Sequence, residues 1–244
     1  ISESFFNSDF WYRDEFEVPA DFKQDRVFLN FDGINWKAHV YVNGKQAGRI
    51  EGAFMRGKFD VTDLIVPGKN VVAVEIIKNQ HIGAIKEKNA QSTDFNGGIL
   101  GADNPTFHAT IGWDWIPTMR GRNIGIWNDV FLTTTGKVTV ADPLVKSVLP
   151  LPDTTSAKLT AEVIVKNHDA NAVKGMLEGK IGDITFQQPV ELAAGEEKAV
   201  VFDAKDFAQL NVQNPRLWWP KGYGEPNLYD ASFTFKIDDK VSDA

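Results

Sequence analysis

The feature that most constrains this chain is a two-residue apolar rhythm, broken by turn residues. Ile34, Trp36, Ala38, Val40 and Val42 fall on one face of a run whose other face carries Asn35, Lys37, His39 and Tyr41. A period of two places alternate side chains on opposite faces of an extended strand, so this run reads as a strand buried on one side. Asn43-Gly44-Lys45 follows it, and Asn-Gly is the strongest short hairpin signal because both central residues of a type I′ turn need positive φ. Val27, Leu29 and Phe31 alternate in the preceding strand. Pro67-Gly68-Lys69-Asn70 suits a type II turn, with Pro fixing φ and Gly supplying the positive φ. It feeds Val71-Val72-Ala73-Val74-Glu75-Ile76-Ile77, an apolar run expected to be a strand buried on both faces. Helical periodicity is weak throughout, and Asp63-Leu64-Ile65 is expected to form a single turn.

The rhythm fails between Lys78 and Gly125, 48 residues rich in Gly, Asn and Asp. Connections longer than about 12–15 residues are uncommon in compact domains and are often functional. Strand pattern resumes at Ile126–Leu132, with Asp129 expected inside that strand, and Thr133-Thr134-Thr135-Gly136 closes it. Ala141-Asp142-Pro143 reads as a linker or the edge of a first strand. A second series of strands follows: Leu159 to Val165, the turn Asn167-His168-Asp169, then Met176–Ile181, Ile184–Gln187, Lys198–Phe202, and Leu228–Ile237 as the last. About 100 residues of short strands at this spacing have the size of an immunoglobulin-like sandwich. The expectation is therefore an all-β chain of two domains, with a boundary at residues 138/139. Both ends look cut, so each domain is expected to be trimmed at its outer end.

Composition removes several chemistries. With no Cys there is no disulfide, thiolate metal site or Cys nucleophile. A net charge of −7 and a pI near 5.2 argue against nucleic acid and anionic membranes as partners. No apolar run approaches the roughly 18 residues of a spanning helix. His39, His81, His108 and His168 stand far apart without a metal-ligand spacing, so no metal or cofactor is expected. Glycoside hydrolysis needs two carboxyl groups across the bond. Neither Glu75 nor Asp129, each within an apolar strand, has an evident acidic mate, so no catalytic residue is expected here.

What stands out is tryptophan, seven residues in all. Gly112-Trp113-Asp114-Trp115-Ile116-Pro117 sets two indoles around one carboxylate near the end of the long segment. An indole face stacks on the C–H face of a sugar, and a carboxylate accepts two hydrogen bonds from vicinal hydroxyls: an apolar platform with one placed polar group. The competing explanation makes both tryptophans core plugs and Asp114 a turn cap. Trp218-Trp219 lies in a Pro- and Gly-rich corner from Asn214 to Tyr229, read as a packed wedge against a neighbouring domain. Trp11, Trp36 and Trp127 are expected in the packing.

Together these motifs resemble glycoside hydrolase family 2, the β-galactosidase, β-mannosidase and exo-β-glucosaminidase group, over nearly the whole chain. The resemblance rests on Trp11-Tyr12-Arg13-Asp14-Glu15-Phe16, on Leu29 to Trp36 with Val40 to Gly44, on Gly112 to Trp115 with Gly125 to Val130, and on Pro215 to Tyr229. The last motif points to the mannosidase and glucosaminidase side. The resemblance implies a jelly-roll, galactose-binding-like β-sandwich at 1–138 followed by an immunoglobulin-like β-sandwich at 139–244. It implies that both catalytic glutamates sit on a (β/α)₈ barrel beyond this chain, which should be inactive alone. By position, Asp114 would bind hydroxyls of the terminal sugar of a β-linked glycan while Trp113 and Trp115 shape the pocket. Ile116 departs from the Gly that many mannosidases carry there, which leaves the sugar open. The resemblance favours a secreted or periplasmic setting. The residues also admit a second class, a free-standing lectin-like module.

Overall fold

The computed structural model describes residues 8–22, 24–52, 54–78, 80, 82–84, 99–102 and 124–244. They form two compact units, residues 1–134 and 135–244, with no α-helix among the described residues.

The first unit contains β1 (Phe10–Val18), β2 (Arg26–Phe31), β3 (Ile34–Asn35), β4 (Lys37–Val42), β5 (Lys45–Glu51), β6 (Gly57–Asp60), β7 (Gly68–Ile76), β8 (Ile82–Ala84), β9 (Ile99–Ala102), β10 (Gly125–Ile126) and β11 (Val130–Thr135). One sheet runs β1-β7-β4-β5 and the other β11-β2-β6, with β10-β3 and β8-β9 as two-stranded ribbons. Between the sheets lie Val27, Phe31, Ile34, Val40, Val42, Val61 and Ile76, all with no exposed surface. Val27, Phe31, Ile34, Val40 and Val42 are residues that the alternation places inward. This is the jelly-roll sandwich, and its hairpin turns follow the chemistry of the sequence: Asn43 and Gly44 take φ of 49° and 79°, and Gly68 takes 83°. Val61 C=O accepts from the N–H groups of Leu64 and Ile65, the single turn expected at Asp63–Ile65.

Asn70 holds the β7 entry. It is fully buried, its Oδ1 accepts from Val66 N–H (3.0 Å) and Asn43 Nδ2 (2.8 Å), and its Nδ2 donates to Val66 C=O (2.7 Å) and Gly68 C=O (2.9 Å). Asn43 in turn accepts from Val71 N–H and donates to Leu64 C=O, so one amide pair ties two turns together.

The second unit contains β12 (Val138–Val148), β13 (Ser156–Asn167), β14 (Val173–Ile181), β15 (Ile184–Leu192), β16 (Glu197–Asp203), a 3₁₀ turn (Ala208–Leu210), β17 (Asn211–Gln213), β18 (Ala231–Ile237) and β19 (Lys240–Asp243). Sheets β12-β13-β16 (with β17 on β13) and β15-β14-β18-β19 form the immunoglobulin-like sandwich. Its core is aromatic: Phe186 packs on Phe202 (ring centroids 4.7 Å) and on Phe233 (6.2 Å), and Phe202 on Phe207 (5.1 Å). Gly179 is required beneath this cluster, because a Cβ there would fall 2.1 Å from the Phe186 ring.

The structure corrects several expectations. Val71, Ala73 and Glu75 are only half-buried, so β7 is covered fully on one face alone; the outer face carries the His39–Glu75 pair instead of a second core. The segment after Lys78 is not devoid of strands, since β8 pairs β9. Of the two readings of Ala141-Asp142-Pro143, the linker fails and the edge of a first strand holds, since the three residues lie within the edge strand β12. They form a bulge there, where Asp142 takes φ of 50° and an edge strand tolerates Pro. Leu228–Asp230 stand outside the last strands, and β19 follows β18 through Asp238 and Asp239, both at positive φ. Asp129 lies in the corner before β11, not in a strand. Trp11 and Trp127 are not core: they are 57% and 55% exposed, Trp11 because the β1 register turns Phe16 and Val18 inward, Trp127 because it lies across Gly33.

Candidate functional site

Trp113, Asp114 and Trp115, with Ile116, lie outside the described residues, as do His81 and His108. What the structure supplies is the root of the segment that carries them. At its start, Ile77 N–H donates to Lys37 C=O (2.9 Å) and Lys78 N–H to Asp9 Oδ1 (2.8 Å). At its return, Gly125 and Ile126 pair with Asn35 and Ile34, and Trp127 N–H donates to Gly33 C=O (3.1 Å). Departure and return are thus fixed to Lys37 and Asn35, two residues apart. Both ends of a very long connection are pinned to the same stretch of backbone. Gly125 has φ of 139°, and the Tyr12 hydroxyl sits 2.7 Å from where a Cβ would stand, so only glycine fits this re-entry.

Polar side chains surround that root. Lys37 Nζ lies 3.0 Å from a Glu51 carboxylate oxygen and 4.3 Å from the Trp36 ring centre, a salt bridge and a cation–π contact at once. His39 Nδ1 is 3.0 Å from Glu75 Oε2, and Arg56 Nε 3.3 Å from Asp32. Glu75 is therefore engaged with an imidazole, while the backbone C=O of Asp129 accepts from Asp32 N–H (3.0 Å). His168 Nε2 sits 2.9 Å from Thr139 Oγ1. No group of three His, Asp or Glu capable of holding a metal occurs among the described residues.

Two further features went unread in the sequence. A cavity of about 450 Å³ opens between the sheets of the first unit, walled by Tyr12, Phe16, Leu29, Phe31, Val72 and Leu132 among others. Its walls are mostly apolar, unlike a sugar site with its placed polar groups. Trp11 also stands on the outer face, where its ring meets that of Tyr41 at 5.6 Å between centroids.

In the second unit the Pro215–Tyr229 corner is held by its own bonds. Trp219 N–H donates to Glu225 C=O, Asn227 Nδ2 to Leu217 C=O, and Arg216 N–H to the Tyr229 hydroxyl, with the Arg216 guanidinium 4.8 Å from that ring centre. Trp218 and Trp219 remain 57% and 44% exposed, so neither is a core residue of its unit. The one strongly displaced acid lies elsewhere in this unit: Asp169, ordinarily at 3.8, is held at about 2, first by the hydrogen bond from Lys137 and then by the backbone and side-chain N–H groups of Asn171.

Comparison with known proteins adds what geometry alone leaves open. Residues 2–128 match the glycosyl hydrolase 2 galactose-binding domain-like family, and residues 138–244 match glycosyl hydrolases family 2. The chain is 33% identical over 247 residues to an exo-β-D-glucosaminidase of Streptomyces avermitilis, covering 100% of this chain and 24% of the relative. It is 33% identical over 238 residues to a mannosylglycoprotein endo-β-mannosidase of Lilium longiflorum, covering 93% of this chain and 24% of the relative. The solved exo-chitosanase of Amycolatopsis orientalis, in complex with PNP-β-D-glucosamine, superposes with a TM-score of 0.76 at 26% identity over 100% of this chain and 25% of that one. The chain spans about a quarter of the length of these relatives and corresponds to their N-terminal, non-catalytic part.

Proposed function

The chain belongs to glycosyl hydrolase family 2, and from that premise we propose that it serves a retaining, exo-acting β-glycosidase by lending a loop to the active site. The two catalytic carboxyl groups, about 5–5.5 Å apart in a retaining enzyme, are contributed by a (β/α)₈ barrel of the same parent polypeptide. The first unit is the jelly-roll sugar-binding domain and the second the immunoglobulin-like domain that joins it to the barrel. The substrate is a β-linked glycan containing glucosamine or mannose, the sugars in the names of the two relatives above.

In this reading Asp114 accepts hydrogen bonds from two hydroxyls of the terminal sugar, and Trp113 and Trp115 wall the pocket. A carboxylate paired with vicinal hydroxyls fixes the ring's rotation, and indole faces exclude water from the hydroxyls it holds. The barrel's nucleophile then meets the anomeric carbon in one orientation, an entropic gain obtained before chemistry. The observation that supports this is the double anchoring of residues 78–124 at Lys37 and Asn35. A segment that must place one carboxylate against a sugar held by another domain needs a fixed base.

The test follows from the site being composite. Calorimetric titration of the 244-residue chain with methyl β-mannoside and methyl β-glucosaminide should give no heat, because half of the pocket is on the barrel. Binding of either monosaccharide tighter than about 1 mM, or about −4 kcal/mol, would contradict it and favour a self-contained lectin site.

A further inference from the structure

The outer face of the β1-β7-β4-β5 sheet carries a second arrangement of side chains. Cross-strand register sets two rows over four strands. One row is Trp11, Glu75, His39 and Arg49; the next is Arg13, Ala73, Tyr41 and Gln46. Each of these points away from the core, because Val40, Val42, Val74 and Ile76 occupy the inward positions of the same strands.

The aromatic pair in this grid is unusual for a sheet. Trp11 and Tyr41 are not on neighbouring strands. β7 runs between them, so their backbones are about 9.6 Å apart at ordinary strand spacing. Their rings nevertheless close to 5.6 Å, tilted by 35°, over the small Ala73. The result is an aromatic ledge two strands wide, with Trp11 57% exposed. Planar hydrogen-bonding groups border it. Glu75 Oε2 is held by His39, while its Oε1 has no hydrogen-bond partner among the described residues. Arg13 donates to Glu15 with one terminal nitrogen and its side chain has no other hydrogen-bond partner among the described residues.

We infer that this face is a glycan-binding platform for an extended β-linked oligosaccharide. Sugar rings have apolar faces and a rim of hydroxyls. The ledge offers the first its stacking partner, and Glu75, His39, Arg13 and Arg49 offer the second both acceptors and donors. Four strands span about 14 Å, so the grid engages several linked sugars and holds a monosaccharide poorly. The side chains are mixed in sign, which suits a neutral or weakly charged chain over a polyanion. The inference rests on the proposal that the parent enzyme acts on β-linked glycans.

The experiment titrates the 244-residue chain with β-1,4-linked mannohexaose and with a glucosamine hexamer, following tryptophan fluorescence and heat. Variants Trp11→Ala, Tyr41→Ala and Asp114→Ala are compared, with circular dichroism verifying the fold and Trp11→Phe as the conservative replacement. The platform predicts hexamer binding that weakens about tenfold in Trp11→Ala and Tyr41→Ala, survives in Trp11→Phe, and is unaffected in Asp114→Ala. Failure of the wild-type chain to bind either hexamer at millimolar concentration would overturn it. So would binding lost in Asp114→Ala and untouched in the two platform variants, an outcome that leaves the role of the loop standing.

Discussion

Replacing Asn70 by Ala removes four hydrogen bonds from a fully buried side chain, and the cost can be worked from its partners. At about 0.5–1.5 kcal/mol each, four bonds amount to about 2–6 kcal/mol. Val66 is 49% exposed and Gly68 is exposed as well, so water re-satisfies part of what is freed. Asn43 keeps its bonds to Val71 and Leu64. The lower half of the range is expected, about 3 kcal/mol. With a urea m-value near 2 kcal/mol/M, that moves the unfolding midpoint of the first unit down by about 1.5 M. Asn70→Asp sharpens the reasoning. It retains an acceptor for Val66 N–H but sets a carboxylate oxygen against the Val66 and Gly68 carbonyls, so at neutral pH it should be at least as damaging as Ala. Lowering the pH protonates it, restores one donor, and recovers stability relative to Ala. Urea denaturation followed by circular dichroism at pH 7 and pH 4 reads both. A midpoint shift under about 0.5 M for Asn70→Ala would refute the assignment of Asn70 as the clamp between the two turns.

Two other outcomes follow from the second unit. Gly179→Val puts methyl groups into the Phe186 ring, whose Cε2 already lies 2.1 Å from an ideal Cβ, and should cost about 1–3 kcal/mol in chemical denaturation, with the first unit unaffected. Asp169 is held at about 2 in the fold against an ordinary 3.8, so its ion pair stabilises fully above about pH 4 and stops doing so as pH falls through about 2. Asp169→Asn should therefore be less stable than wild type at pH 7, and the two should converge by pH 2; a gap that is unchanged across this range would contradict the pairing with Lys137.

Most of the fold was legible because alternation and turn chemistry act locally. Asn43-Gly44 and Pro67-Gly68 take the conformations their side chains allow, and the inward residues of β2 and β4 are the alternating ones. Misread positions are those where tertiary register decides. Asp238-Asp239 forms a two-residue turn at positive φ without the Gly that marks such turns, so β19 was hidden. Pro143 left a linker and a strand edge both open because a bulge on an edge strand leaves no sequence period. Trp11 looked like core because size and hydrophobicity carry no information about which face of a strand a residue takes; the pairing of Phe16 with Asn70 and of Trp11 with Glu75 decides that. Of the site, the residue types in Trp113-Asp114-Trp115 could be read from the sequence, whereas the anchoring at Lys37 and Asn35 is long-range pairing that no local pattern encodes.

The central claim is that Asp114 holds the terminal sugar in an active site completed by a barrel. The direct measurement is kcat/KM of the parent enzyme and of its Asp114→Ala variant on PNP-β-D-glucosaminide and PNP-β-D-mannoside. Two charge-assisted hydrogen bonds at about 1.5–3 kcal/mol each predict a loss of about 10²–10⁴-fold on the preferred sugar, with the fold unchanged. Activity within about threefold of wild type, with the same sugar preference, would contradict the account.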